Sequence, residues 1–545
     1  MPHRLAEKTY GAMTDEAAER WGDREALYFE GRRWSFNEFK AEVDRTAKAL
    51  IALGVKRGEH VSLWVTNRPE WMFFFYGLVK IGAVVVPINT RFRTDDFAYV
   101  IRQSDSATLI CMDRSGPVDF LEMVRSLCPE IDAGDPQNLR PAGCPSLERI
   151  VVLGETAPAG ANNWVKLIDG GESVSDAMLQ ARADEVAPGD IATIMYTSGT
   201  TGFPKGVMQS HIILRVVDEI AKTLGLTPDD VTLMYLPFFH VFGLGAGVLM
   251  SMITGARTVL TAQFDPGEAL GLIQAERVTR IHGFDAHYFA LYSHPDFQAT
   301  DCSSLRTGLF PSGMASSAPI ARQAQQAFGP TISLWGMTEV AGCASLGSLE
   351  DTEDDRCMMS GRAIPGWELK VIDPATGASV PAGEIGELCA RGYGVTRGYY
   401  NKPEETAKAI DADGWLHSGD MAMLRQDGVL RFMGRYKDLL KVGGENVDAA
   451  EVEQFLAGHE DIEQAQVVGV PDPRLSEVGC AFIVPKPGAV LDQAAVDAFC
   501  RGRLASFKIP RYTIAIDAYP MTSSGKVQKF ILRDMALKQL DLAST

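Results

Sequence analysis

The sequence predicts an α/β protein. Short apolar runs and helical patterns follow one another through residues 26–107, a succession that signals βαβ units and a largely parallel sheet. The composition is that of a globular chain with large cores: 46% hydrophobic, 22% charged and 9% aromatic. At roughly 150 residues per domain, 545 residues allow three or four folding units.

Residues 36–53 carry apolar side chains at helical spacing and run into Gly54, which predicts a helix with a C-terminal glycine stop. His60-Val-Ser-Leu-Trp-Val65 reads as a strand, residues 69–79 as a buried helix, and residues 83–86 as another strand. Residues 132–145 and 154–163 are rich in Gly, Pro, Asn and Ala and read as surface loops. Pro188-Gly189 then precedes a β-like run, Ile191-Ala-Thr-Ile-Met-Tyr196. Charge marks a further boundary. Residues 437–545 hold 12 basic and 15 acidic residues, net −3, whereas the whole chain carries −18. Within that end piece, residues 501–538 hold eight basic residues against Asp517 and Asp534. Such a strip is either a solvated face or a small module that meets phosphates.

Several function classes are disfavoured. A net charge of −18 argues against a nucleic-acid partner, although it does not speak to a local basic patch. Nine scattered cysteines with no C-x-x-C pair argue against a disulfide framework or a zinc ribbon and fit a reducing, cytoplasmic setting. No secretory signal opens the chain, and the most apolar stretches are interrupted or shorter than the ~20 residues of a membrane span, so a soluble protein is expected. Gly243-Leu-Gly-Ala-Gly247 and Gly392-Tyr-Gly-Val-Thr-Arg-Gly398 lack dinucleotide-fingerprint spacing and read as close packing and turns. No G-x-S-x-G elbow supports a serine hydrolase. Gly170-Gly-Glu-Ser173 faintly resembles a carrier attachment site but lies in a loop.

The string Tyr196-Thr-Ser-Gly-Thr-Thr-Gly-Phe-Pro-Lys-Gly-Val207 carries the chemistry furthest. Small and hydroxyl residues from Thr197 through Ser198, Gly199, Thr200, Thr201 and Gly202 make a loop rich in N–H and O–H donors that can wrap phosphate oxygens, and Lys205 adds a point charge. It is not a Walker A loop, because Pro204 precedes the lysine and Gly206 follows it. On composition alone a flexible surface turn is the safer reading.

The whole string, however, resembles the phosphate-binding signature of the adenylate-forming (AMP-binding) superfamily, and further blocks follow in that family's order. Tyr235-Leu-Pro-Phe-Phe-His-Val-Phe-Gly243 resembles the next one, Leu334-Trp-Gly-Met-Thr-Glu339 another with Trp335 in place of the usual Tyr, and Gly313 survives in a loop where Met314 replaces a second glycine. Ser418-Gly-Asp420, Gly434-Arg-Tyr-Lys-Asp438, Lys441-Val-Gly-Gly-Glu-Asn446 and Pro520-Met-Thr-Ser-Ser-Gly-Lys-Val-Gln-Lys529 complete the set, and Phe507-Lys-Ile-Pro-Arg511 fits as well.

The resemblance implies a large N-terminal domain of α/β subdomains plus a β-barrel-like part, residues 1–435, and a small mobile α+β C-terminal domain, residues 436–545. It implies the roles too. His240 would lie beside the acyl carboxylate and the ATP phosphates. Glu339 would hold Mg2+, Thr338 would contact the α-phosphate, and Trp335 with Gly336 would lie along adenine. Asp420 and Arg435 would take the ribose and Lys437 would be the hinge. Lys441, Gly443 and Gly444 would serve thioester formation, and Lys526 would reach the carboxylate and α-phosphate during adenylation.

The activity implied is an ATP-dependent acid–thiol ligase, an acyl-CoA synthetase that passes a hydrophobic acid, a medium- or long-chain fatty acid, through acyl-AMP to coenzyme A. Phe238, Phe239, Phe284, His287, Tyr288, Phe310 and Met314 are the expected acyl-pocket residues. Where relatives often read Gly-Val-Pro-Thr, this chain has Gly283-Phe-Asp-Ala-His287, which leaves an aryl, alicyclic or steroid-side-chain acid as the alternative within the same chemistry. A stand-alone enzyme loading a carrier protein is a further alternative. Small-molecule acid, ATP and CoA are the implied partners; a homodimer is compatible with the sequence, which does not set the oligomeric state.

Overall fold

A computed structural model of the chain describes residues 3–137, 139–197, 204–314, 317–436, 439–442, 445–472, 474–501, 503–522 and 525–542. The helix Phe36–Ala52 shows how directly the local chemistry is written. The Ser35 side chain accepts from the Glu38 backbone N–H, and the Glu38 carboxylate accepts from the Ser35 N–H, so two orphan donors are satisfied at once. Phe36, Phe39, Val43, Ala47 and Leu50 then line one buried face, three or four residues apart. The helix Pro69–Lys80 is different, for nearly its whole circumference is buried. Lys80 ends it inside the protein, where its ammonium pairs with Asp15 at 2.7 Å and Asp44 at 2.6 Å.

These helices flank two seven-stranded sheets. One runs in the order Lys205–Ser210, Ile191–Thr197, Val84–Pro87, His60–Trp64, Thr108–Met112, Arg149–Leu153 and Asn162–Asn163. It is parallel except for the hairpin of its first two strands. The other runs Thr331–Ile332, Thr307–Leu309, Arg280–His282, Val231–Met234, Arg257–Leu260, Glu25–Phe29 and Arg32–Ser35, parallel but for its last strand. Here the N-terminal strand Glu25–Phe29 pairs with Arg257–Leu260, so the start of the chain completes a sheet built from its middle.

Residues 334–435 supply the β-rich part, an antiparallel three-stranded sheet followed by an antiparallel four-stranded one that ends at Leu430–Arg435. The C-terminal region is α+β. Among the described residues it has five strands, with Ser476–Pro485 pairing antiparallel to Ile462–Asp472 and parallel to Tyr512–Ala515, and the helices Ala449–Ala457, Gln493–Cys500 and Lys529–Gln539. The two regions have separate cores. One cluster of buried apolar residues runs from Leu5 to Leu430, and the second begins at Leu440 and ends at Ala536.

Some local expectations are corrected. Among its described residues the stretch 133–145 is irregular, as expected of a loop, although Leu139 and Cys144 are buried in the main core. Asn162–Asn163, at the end of the second expected loop, is an edge strand paired to Val151 and Val152. Of the basic strip, four of the eight residues pair within the C-terminal domain: Lys508 with Glu451, Arg511 with Asp472, Lys529 with Glu453 and Arg533 with Glu477. That half of the strip is therefore structural. No helix among the described residues is long and apolar enough to cross a membrane.

Candidate active site

The antiparallel strands Ile191–Thr197 and Lys205–Ser210 flank the donor-rich segment in sequence, with Thr197 opposite Lys205. Ser198, Gly199, Thr200, Thr201 and Gly202 lie outside the described residues. Lys205 is not a free point charge. Its ammonium pairs with Glu405 at 2.7 Å and lies 4.9 Å from the Tyr399 ring centroid. From the returning strand, the Gln209 side-chain amide donates to the Thr338 carbonyl at 2.8 Å and ties the hairpin to the Thr338–Val340 turn.

That turn buries Glu339, whose carboxylate accepts from the Tyr399 hydroxyl at 3.0 Å. Burial raises the pKa of this carboxyl, and Arg435 opposes the shift. Among the described residues no cationic side chain forms an ion pair with it, so a buried carboxylate stands against a neutral phenol. Such a group fits Mg2+, which favours one or two carboxylates together with phosphate and water oxygens. Gly336 packs so closely on the Gly342 carbonyl that a Cβ would overlap it, which fixes the backbone between Trp335 and Thr338.

Trp335 is buried, and its indole N–H donates to Oδ2 of Asp420 at 2.9 Å. The other oxygen, Oδ1, faces Arg435 Nε at 3.2 Å. Asp420 and Arg435 are directly opposed on the antiparallel strands Leu416–Leu424 and Leu430–Arg435. Gly313 lies next to the same sheet, its carbonyl accepting from Arg431 at 3.3 Å.

From the other side come His240 and Lys526. His240 caps a helical run that begins at Val241 and carries a π-helical stretch, Leu244–Leu249. Such bulges recur where a helix must present a functional group. Burial, with the positive Lys526 nearby, pushes the imidazole down to about 4, so it is neutral at pH 7. Lys526 is an exposed residue, yet its ammonium lies 5.1 Å from the Phe284 ring centroid and is partly desolvated by the protein around it. That desolvation and Arg435 bring its pKa down to about 8, against the pull of Asp420. Lys526 thus lies within electrostatic reach of His240, Arg435 and Asp420, and the last two in turn of Glu339.

The expected acyl pocket divides. Phe238, Tyr288 and Phe310 are wholly buried in the core; Phe238 packs on Trp71 at 5.1 Å, and the Tyr288 hydroxyl donates to the Ile281 carbonyl. Phe284 and Met314 keep some surface, whereas His287 and Phe239 are nearly as buried as the first three. Next to them Asp285, raised to about 6 by burial, accepts from the Ser317 hydroxyl at 2.8 Å. Lys437, Gly443 and Gly444 fall outside the described residues, and Lys441 lies in the strand Leu439–Val442, paired with Asn446. Tyr399, Gln209 and Glu405 were not singled out by any motif; only folding brings them to the signature residues.

The chain matches the family model described as AMP-binding enzyme over residues 14–400, and that of the AMP-binding enzyme C-terminal domain over 451–526. It is 36% identical to YngI of Bacillus subtilis (strain 168), named an acyl-CoA synthetase, over 99% of each chain. It is 36% identical to a 3-[(3aS,4S,7aS)-7a-methyl-1,5-dioxo-octahydro-1H-inden-4-yl]propanoyl:CoA ligase of Mycobacterium tuberculosis, over 97% of this chain and 99% of that one. It is 30% identical to the mitochondrial medium-chain acyl-CoA ligase ACSF2 of Rattus norvegicus, over 99% and 89%. Among solved structures, that of the anthranilate CoA ligase AuaEII with anthranoyl-AMP superposes with a TM-score of 0.84 at 28% identity, over 98% of this chain and 99% of that one. With the fold and both family models spanning the cleft, the chain belongs to the adenylate-forming superfamily of AMP-binding enzymes, in its acyl-CoA synthetase-like branch.

Proposed function

We propose that the protein is an AMP-forming acid–CoA ligase acting on a hydrophobic carboxylic acid, with a medium- or long-chain fatty acid as the leading substrate. The observation that carries the reading is the convergence of the buried Glu339, the Asp420–Arg435 pair, neutral His240 and the crowded Lys526 on one cleft.

A carboxylate is a poor acyl donor because its charge is delocalised and oxide is a poor leaving group. Adenylation removes both obstacles. A substrate oxygen bonds to the α-phosphorus of ATP as the bond to the bridging oxygen breaks, and pyrophosphate leaves with the electron pair. The sulfur of CoA, its thiol proton lost to solvent, then attacks the acyl carbon, and AMP departs from the mixed anhydride.

The residues divide the work between positioning and charge. Asp420, held from both sides by Trp335 and Arg435, offers a carboxylate to the ribose hydroxyls. Lys526 places a positive charge beside the reacting oxygens, where removal of one well-aimed group typically costs ~10²–10³ in rate. His240, uncharged, offers an N–H to an anionic oxygen without adding a competing cation. Glu339 would hold Mg2+, which when bound supplies neutralisation of phosphate charge. Thr338 and the donor-rich turn would line the phosphates.

The acyl side is walled by Phe239, Phe284, His287 and Met314, an apolar and aromatic surface suited to hydrocarbon. The likeness to the medium-chain ligase supports a fatty acid. The likeness to the fused-ring propanoyl ligase, at higher identity, supports the alternative of an alicyclic acid. AMP release with ATP and CoA should be measured against straight-chain acids of graded length and against ring-bearing acids. Highest kcat/KM for a mid-length chain supports the leading reading; highest kcat/KM for a fused-ring propanoate replaces it with the alternative.

A further inference from the structure

We propose that the first turn of the helix Asp285–Tyr292, with Arg91 beside it, is the dock on which the lysine loop of the C-terminal domain seats for adenylation. The inference rests on the assignment of Lys526 to that half-reaction. It makes Phe284, His287 and Arg91 positioning residues.

Three contacts span the loop. Arg91 Nη1 donates to the Met521 carbonyl at 3.1 Å, at the loop's entry. Gly525 has φ +80° and lies so close on the His287 imidazole that a Cβ would overlap its Cε1. Lys526 Nζ stands 5.1 Å from the Phe284 ring centroid, within the range where a ring face attracts an ammonium. The loop thus touches the large domain at its start, before its lysine and at the lysine itself.

The dock is held from below. His287 Nδ1 accepts from the Phe284 backbone N–H at 3.2 Å; its ring stacks on Tyr235 at 5.3 Å and meets Phe264 edge-on at 4.8 Å. Phe284 meets Phe242 edge-on at 5.4 Å. Burial and the charge of Arg91 keep the imidazole neutral, so the seat does not repel the incoming lysine. Phe284 and His287 belong to the segment where this chain departs from the Gly-Val-Pro-Thr pattern. That departure therefore supplies the ring under the ammonium and the imidazole under the glycine.

The test uses the full chain without ligand. Hydrogen exchange of the peptide spanning residues 519–529 is followed by mass spectrometry in wild type, Arg91→Ala, Arg91→Lys, Phe284→Leu and Phe284→Tyr. Arg91→Ala and Phe284→Leu are expected to speed exchange there roughly 3- to 30-fold. Arg91→Lys, which keeps a donor, and Phe284→Tyr, which keeps the ring, should restore most of the protection. Unchanged exchange in both truncations overturns the dock.

The same variants are then assayed with decanoate for ATP–pyrophosphate exchange, and with supplied decanoyl-AMP and CoA for thioester formation. The first rate should fall and the second hold for Arg91→Ala; equal loss in both overturns the adenylation-specific role. Gly525→Ala should lose adenylation, and adding His287→Ala should recover part of it. Lys526→Ala is the separate control. If it leaves pyrophosphate exchange intact, the assignment of Lys526 fails, whereas the hydrogen-exchange result still decides the dock.

Discussion

The Trp335 indole N–H and the Asp420 carboxylate form a buried 2.9 Å hydrogen bond that joins the Thr-Glu motif to the Ser-Gly-Asp motif, 85 residues apart. A tyrosine, usual at this position, could not present the same donor at the same place. Trp335 therefore holds in its own way the carboxylate proposed to face the ribose.

Trp335→Phe should release Asp420 Oδ2. Hydrogen bonds to charged groups contribute about 1.5–3 kcal/mol, so KM for ATP is expected to rise roughly 10- to 100-fold while kcat changes less. The preference for ATP over 2′-deoxy-ATP should shrink as well, because Asp420 is no longer aimed. Steady-state kinetics with both nucleotides measure this; an unchanged nucleotide preference would count against the positioning role.

Lys526 gives a pH signature. Its folded-state pKa, lowered to about 8, lies below the ordinary lysine value of ~10.4. The ammonium is the useful form, so adenylation should be full below that value and decline as pH rises through about 8. Lys526→Arg retains charge over the same range and should move the alkaline limb upward while lowering the rate. His240, already neutral down to about 4, should produce no acid limb near the ordinary imidazole value of ~6.5. A pH–rate profile of the first half-reaction reads both.

The proposed two-step reaction asks for different surroundings in each step, and the hinge proposed at Lys437 falls between a core that ends at Leu430 and one that begins at Leu440. Rotation about a few residues is a general way to rebuild one site for two steps. Lys437→Pro should slow thioester formation far more than adenylation. Single-turnover assays of each step check it, and unchanged second-step kinetics would refute the hinge.

The C-terminal core encloses a glutamate whose ionic partner is a half-buried lysine. Glu453 Oε1 accepts from Lys529 Nζ at 2.6 Å and from the Val467 N–H at 2.7 Å, with the glutamate fully buried. Glu453→Ala removes the acceptor of the Val467 N–H and one anionic partner of Lys529. Breaking such a pair costs about 3–5 kcal/mol, so denaturant unfolding should show an early transition assigned to residues 439–542. Glu453→Gln, still an acceptor, should lose less.

Much of this was legible in the sequence because its signals are local. Ser35 and Glu38 sit three apart and cap one helix; the 60–65 and 83–86 runs are strands within a residue or two of the expected bounds. The motif order likewise announced Glu339, Asp420, Arg435 and Lys526. What stayed hidden depends on tertiary approach. Glu405 neutralises Lys205 from 200 residues away, Tyr399 meets Glu339 across 60, and Arg91 reaches Met521 across 430. The aromatic count around the acyl side does not by itself say which rings are buried. A sequence does not say which of Phe238, Tyr288 and Phe310 spend their surface on the core, and all three do.

The most direct test of the central claim, that one cleft brings a carboxylate to the α-phosphate under the charge of Lys526, is acid-dependent ATP–pyrophosphate exchange without CoA. The account predicts exchange by the wild-type chain with at least one hydrophobic acid of the graded series, lost in Lys526→Ala while that variant still forms thioester from supplied acyl-AMP. Exchange that persists in Lys526→Ala, or that is absent from the wild type with every acid despite bound ATP, would contradict it.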